Sequence, residues 1–219
     1  ARVLELLAVA GVPLEQSVIV RATALDVAEI FEAGTTLRTE DLVRSHASQG
    51  ETYLDSYHDR IRESVIAHLD APVLEGWHFR LAMALEQVNS DPERIALHWQ
   101  GAGRPDRAAG YLVQAAEQAA QALAFERAAR LYQMAIDTGE FKAARVRELQ
   151  GERASALRFA GLLLDAAEAN VALANSAEPV EQLERERLAA EQFLCSGHYE
   201  QGFELVEKAL RRHGVRNPR

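Results

Sequence analysis

The chain has 219 residues, of which 48% are hydrophobic and 26% charged, an ordinary folded composition that excludes wholesale disorder. Its 24 basic and 33 acidic residues leave a net charge of −9, which argues against an overall nucleic-acid binder. The single cysteine, Cys195, excludes an internal disulfide or a cysteine metal cluster and fits a reducing, cytoplasmic setting.

The chain opens on Ala1-Arg2 within an apolar helical pattern and without an initiator Met. Leu4, Leu6, Leu7 and Val9 are too few for a signal segment, and no apolar run approaches the ~18 residues of a membrane span. The first helix is expected over about 1–10, ending at Gly11-Val12-Pro13. A second should start at Leu14, with Leu14, Val18 and Ile19 on one face. Asp26 can cap a third, with Glu29 completing a capping box and Ala28, Ile30 and Phe31 as its apolar positions. The run 42–46, a turn at Gln49-Gly50 and the alternating run 52–57 then read as a β-hairpin. Three helices followed by a hairpin is the winged-helix order.

Beyond residue 58 almost no strand signal remains. Breakers at Pro72, Asp91-Pro92, Gly103-Arg104-Pro105, Gly139, Gly161, Pro179 and Gly197 separate helical segments. The segments are 58–69, 72–88, 92–101, 105–122, 125–138, 143–159, 163–175, 179–196 and 199–212. The end, 213–219, reads as a helix stop, so both ends are expected to be cut from a longer protein. The expected fold class is mostly α. A winged-helix-like domain (1–69) with one hairpin leads into a helical linker (70–104), then into antiparallel helix pairs resembling tetratricopeptide repeats (105–219), incomplete at the C-terminus.

The repeat expectation rests on three matching segments. Phe125, Ala128, Tyr132 and Ala135 recur as Leu164, Ala167, Val171 and Ala174, and again as Tyr199, Gly202, Val206 and Ala209, at offsets of 39 and 35 residues. These bracket the 34 residues of a tetratricopeptide repeat. Small residues at two positions of one helix let the next approach closely, while the large ones fill the space between pairs. In the preceding helices Ala116/Ala119, Ala154/Leu157 and Ala190/Phe193 fall near the matching positions. The competing reading is three unrelated amphipathic helices in an alanine-rich bundle.

No phosphate-cradling loop, dinucleotide glycine motif, zinc-protease motif or nucleophile elbow occurs, so a free-standing enzyme is disfavoured and no catalytic residue is assigned. The histidines, His46, His58, His68, His78, His98, His198 and His213, are scattered, with no pair at i+3 or i+4. They read as solvated or core-edge side chains rather than metal ligands. Residues 1–57 hold nine acids and four bases, a net −5, so direct DNA binding by the winged-helix-like part is disfavoured.

The run 57–65 places His58-Asp59 where the second hairpin strand meets the next helix. Asp59 falls in the first turn, where the helix dipole favours a carboxylate. Ile61 and Val65 should face inward, with Arg62 and Glu63 outward.

Three stretches carry a family resemblance: 58–65 (His-Asp-Arg-Ile-Arg-Glu-Ser-Val), 78–86 (His-Phe-Arg-Leu-Ala-Met-Ala-Leu-Glu), and 95–111 with the alanine-rich 115–135. In this order they resemble bacterial multidomain signalling ATPases of the STAND class, most specifically over 57–135 and loosely beyond 140. The resemblance implies the winged-helix end of an ATPase module, a helical linker and tetratricopeptide-like repeats. Such modules follow Ser/Thr protein kinase domains, and occur in hybrid histidine kinases and in regulators resembling the maltose activator.

The implied function is therefore that of a larger protein: this segment would be non-catalytic, binding a protein partner or other domains of its parent, with no direct nucleic acid and no membrane. ATP or ADP and Mg²⁺ would bind elsewhere in the parent. The alternative parent is a STAND-type transcription activator with a distant DNA-binding domain. By the same resemblance, His58 and Asp59 look like the His-Asp pair with which related switch ATPases contact a bound diphosphate. A strand-to-helix junction without a sensing role is the competing reading.

Overall fold

In a computed structural model the structure describes residues 1–48 and 50–212. Among them 74% lie in 12 helices, and a small three-stranded antiparallel sheet completes the secondary structure. The part of the expected turn at Gln49 and the expected helix stop at 213–219, with His213, lie outside the described residues. No helix among the described residues is long and apolar enough to cross a membrane. The chain divides into two compact units, Ala1–Tyr111 and Leu112–Arg219.

The first unit begins with α1 (Arg2–Ala10), β1 (Leu14–Glu15), α2 (Gln16–Thr23) and α3 (Val27–Thr39). The hairpin strands β2 (Val43–Ser48) and β3 (Glu51–Ser56) follow, then α4 (Asp59–Ala67), α5 (Ala71–Gln87) and α6 (Pro92–Gly101). α1 stops where Gly11 adopts φ +66°, a left-handed conformation that glycine tolerates without a β-carbon clash. The capping box expected for α3 is present: the Glu29 amide donates to Asp26 and the Asp26 amide donates to Glu29, both at 2.8 Å.

Two expectations need correction here. Leu14 and Glu15 do not start a helix. They form β1, which pairs antiparallel with β3 at Leu14↔Leu54 and Glu15↔Tyr53 and gives the sheet order β1-β3-β2. The segment is only two residues long, too short for an alternation to show. In α3 Ile30 is buried, but Ala28 is exposed and Phe31 is 66% exposed; the second buried position is Gly34, beside the Leu54 side chain. Leu6 and Leu7 of α1, Ile19 of α2, and Leu81 and Leu85 of α5 are all fully buried. Residues 70–104, expected as a helical linker, form α5 and α6, and α5 packs on α1 and α2. The Trp77 indole donates to Glu5 at 3.0 Å and the Trp99 indole to Glu86 at 2.7 Å.

In the second unit α7 (Pro105–Gln121), which starts in the first, is followed by α8 (Phe125–Asp137), α9 (Ala143–Phe159), α10 (Leu163–Ala174), α11 (Pro179–Cys195) and α12 (Tyr199–Arg212). From α8 onward each helix packs against the next in sequence. Every breaker named from the sequence falls at a helix start or in a connection, because proline lacks the amide a helix interior needs and glycine supplies a left-handed turn. Ala167, Ala189 and Phe193 form a buried cluster with Leu164, Val171 and Leu205 against it. Between α11 and α12 the buried Glu186 carboxylate accepts from Arg212 at 2.8 and 3.1 Å and lies 3.7 Å from Lys208.

Ala128 is fully buried in α8, which packs against α9. Ala128→Leu adds three carbons to a filled space and should cost about 1–3 kcal/mol. Urea unfolding of the variant measures the loss; undiminished stability would show that the space around Ala128 can expand.

Candidate functional site

β3 and α4 position the junction singled out in the sequence. His58 is the N-cap of α4, with extended backbone at φ −143°, and its ring makes no capping hydrogen bond. The ring is exposed and meets Tyr57 edge-on, with centroids 4.6 Å apart. Asp59, also exposed, opens the first turn. The amides of Ile61 and Arg62 return to the His58 carbonyl, at 3.0 and 3.4 Å. The junction thus offers an imidazole and a helix N-terminus side by side, with a carboxylate next to them. An imidazole can donate to an anionic oxygen and the helix end favours negative charge.

α4 does not sort its faces as expected. Ile61 and Val65 are only half-buried, and Arg62 turns inward rather than outward. The Arg62 Nε donates to the Ala8 carbonyl at 3.0 Å and satisfies an acceptor at the C-terminal end of α1. A β-carbon built on Gly11 would lie 3.0 Å from the Arg62 guanidinium, so the glycine also leaves room for that side chain.

The repeat positions divide by place in the chain. Ala128, Tyr132 and Ala135 are buried, with Phe125 half-buried and tilted against Phe159 at 5.1 Å. Ala167 and Ala174 are buried, and Leu164 and Val171 half-buried. Gly202 is buried: a β-carbon there would meet Leu194 at 2.7 Å and the Ala190 carbonyl at 3.2 Å. Ala209 is half-buried, whereas Tyr199 (61%) and Val206 (38%) are exposed. Ala116, Ala119, Ala154, Leu157, Ala190 and Phe193, in the preceding helices, are all buried.

Sequence spacing missed one polar centre, in the first unit. His98 on α6 is 1% exposed, neither solvated nor at a core edge, and its Nδ1 is 2.9 Å from the Nδ1 of His78 on α5. One of the two rings must donate and the other accept, so only one of the two Nδ1 atoms carries a proton. Burial, the neighbouring His78 and the Arg94 guanidinium push the His98 pKa down to about 3; burial also lowers that of His78. Arg94 lies one turn before His98, and its Nε and Nη2 are buried without a hydrogen-bond partner among the described residues. The two histidines are 20 residues apart on different helices, beyond any local spacing rule. Gly101 was the available signal: a β-carbon there would lie 2.5 Å from the His78 ring.

The other described histidines are dispersed. His46 stacks on Tyr53, His68 Nδ1 approaches the Ser64 carbonyl and His198 Nδ1 the Ser196 hydroxyl. Among the described residues no three His, Cys, Asp or Glu side chains converge as metal ligands.

No protein-family model matches the chain, and no curated protein matches it. Among solved structures the chain is similar to the crystal structure of BtubC (BKLC) from P. vanneervenii, with 17% identity over 73% of this chain and 74% of that one. The TM-score of that match is 0.40.

The histidine pair gives the first unit a defined acid response. With its pKa depressed on folding, His98 binds a proton in the unfolded chain before it does so in the folded one. Its contribution is fully present above about pH 6.5 and is lost as pH falls from there toward about 3. Both tryptophans, Trp77 and Trp99, lie in α5 and α6, so their fluorescence follows unfolding at this place. His98→Phe should reduce the loss of stability over that range; an unchanged pH profile would show that His98 does not govern it.

Proposed function

We propose that the chain is a non-catalytic regulatory and protein-interaction segment of a larger bacterial signalling protein, a Ser/Thr kinase with an attached ATPase module of the STAND class. The first unit acts as a winged-helix-like coupling element. The helices that follow act as tetratricopeptide-like pairs whose concave face receives a protein partner or another part of the parent. ATP or ADP with Mg²⁺ is bound by the parent outside this chain.

The observation that carries the interaction reading is the burial of the small residues Ala128, Ala167 and Gly202, at offsets of 39 and 35 residues, in helices that pack on their sequence neighbours. That is the pattern stacked helix pairs need, and such stacks work through extended binding surfaces. The element order α1-β1-α2-α3-β2-β3, with sheet order β1-β3-β2, supports the winged-helix reading of the first unit. The choice of parent rests on the resemblance of 58–65, 78–86 and 95–135.

In this reading His58 donates to a phosphate oxygen of nucleotide held by the parent's ATP-binding segment, while Asp59 orients the ring or favours the start of α4. The exposure of the His58 ring, and the lack of a capping bond from it, support that role.

Purified chain should neither hydrolyse ATP above an empty-vector control nor melt at a higher temperature with ADP and Mg²⁺; turnover would overturn the non-catalytic assignment. The parent's ATP-binding segment, loaded with ADP and titrated into the chain, should bind, and His58→Ala should weaken binding about ten- to a hundredfold, the range for loss of a hydrogen bond to a charged group. Equal affinity with an unchanged fold removes the sensing role from His58.

A further inference from the structure

Along α3 the first unit carries an apolar face that its own elements leave open. A groove of about 250 Å³ lies between α3 and the sheet, with the buried Ile30, Gly34 and Leu54 as its floor and the exposed Phe31 and Thr52 at its edges. Phe31 is 66% exposed, and Val27, one turn earlier on the same side of the helix, is 58% exposed. α2 precedes α3 and the hairpin follows it, so the face lies at neither end of the chain. Nothing within the chain requires a glycine at position 34. Its φ is not in the left-handed region, and a β-carbon there would make an ordinary contact, 3.6 Å from Leu54. A glycine inside a helix weakens it, so what Gly34 supplies is depth in the groove.

We propose that this groove receives a basic segment of a partner protein, one that sets a large apolar side chain against Phe31 and Lys or Arg side chains around it. Charge selects that occupant. The chain neighbours of the lining residues are acidic: Glu32 follows Phe31, Glu51 precedes Thr52, and Glu15 precedes Gln16, which also lines the groove. Asp26 and Glu29 add carboxylates at the start of α3. Among the described residues none of these acids pairs with a cation: Asp26 and Glu29 bond each other's amides, and Glu15 accepts from the Ser17 hydroxyl. The cation in the lining, Arg38, is turned to the Thr35 and Ser45 hydroxyls, at 2.9 and 3.0 Å. A second copy would bring the same acids to face these, and the phosphates of a nucleic acid or an anionic lipid surface would be repelled in the same way. A basic segment is drawn in, and an apolar anchor in a groove, with complementary charge at the rim, is a recurring mode of peptide recognition.

A short amphipathic leucine–lysine peptide and its leucine–glutamate counterpart, each titrated into the full chain and followed by amide NMR shifts, test the proposal. The lysine peptide should move the signals of α3 and β3 and bind more weakly as salt rises, and the glutamate peptide should not bind. Phe31→Ala, and separately Glu32→Lys with Glu51→Lys, should each raise the dissociation constant of the lysine peptide about tenfold or more, as expected for an aromatic anchor and its charged rim. Phe31, Glu32 and Glu51 are exposed, so the helical circular dichroism and melting of these variants should be preserved. Gly34→Ala should melt no lower than the unsubstituted chain yet bind the peptide less tightly, a split that a glycine needed only for packing would not show. Two peptides that bind alike, a lysine peptide that does not bind, or one whose affinity Phe31→Ala leaves unchanged overturns the proposal. Self-association of the chain that Phe31→Ala abolishes gives the face to a second copy and overturns it equally.

Discussion

Close approach at small residues is the constraint on which the packing of this chain depends. Gly202 stands against Leu194, Gly101 against the His78 ring and Gly34 against Leu54, and at the first two a single added carbon would collide. Ala128 and Ala167 are fully buried in helices that pack on their sequence neighbours. Interiors are packed to the density of organic crystals, so a site that accepts a hydrogen or a methyl group does not accept more. The alanine and glycine content of the second unit is therefore a set of distances between helices. The large residues Tyr132, Leu157 and Phe193 fill what those distances leave.

Three carboxylates inside the fold are each held by named partners. Glu186 is held by Arg212 and Lys208, and Asp55 by Arg44 directly across the hairpin at 2.6 and 3.1 Å. Glu86 accepts from both Trp99 and Arg107. Such pairs add little net stability, because desolvation offsets their attraction, but removing one partner leaves a buried charge uncompensated. Their use here is positional: each fixes one element's register against another. The His78–His98 contact does the same with two neutral rings, which is why it tolerates the nearby cation of Arg94 only while unprotonated.

The sequence made the helices legible because their signals are local. Proline, glycine and capping side chains act on the backbone within a turn or two of where they stand, so the Asp26–Glu29 box and the stops at Gly139, Gly161 and Gly197 needed no knowledge of the fold. Features formed between distant segments stayed hidden. β1 is two residues long and exists because Leu54 lies beside Leu14. Arg62 reads as an outward residue on a helical wheel, yet the Ala8 carbonyl draws it in. Phe31 reads as core and is exposed, because the neighbouring elements bury α3 along Ile30 and Gly34 instead. At the candidate site, the place of His58-Asp59 at a strand-to-helix junction was readable from turn chemistry, whereas the partner of His98 was not.

The two units differ in how far along the chain their contacts reach, and this has a kinetic consequence. In the first, Arg62 bonds Ala8 across 54 residues, Arg21 bonds Gln87 across 66, and Trp77 bonds Glu5 across 72. In the second, bonds such as Arg212 to Glu186 and Arg147 to Ser176 span 26 and 29 residues. Long loops must lose their freedom before contacts of the first kind form, so α1 docks late and the first unit closes in a single slow step. Contacts between sequence neighbours let the second unit grow helix by helix, and come apart the same way. Amide exchange would then follow a gradient along α8 to α12, with neighbouring helices opening in turn rather than all together.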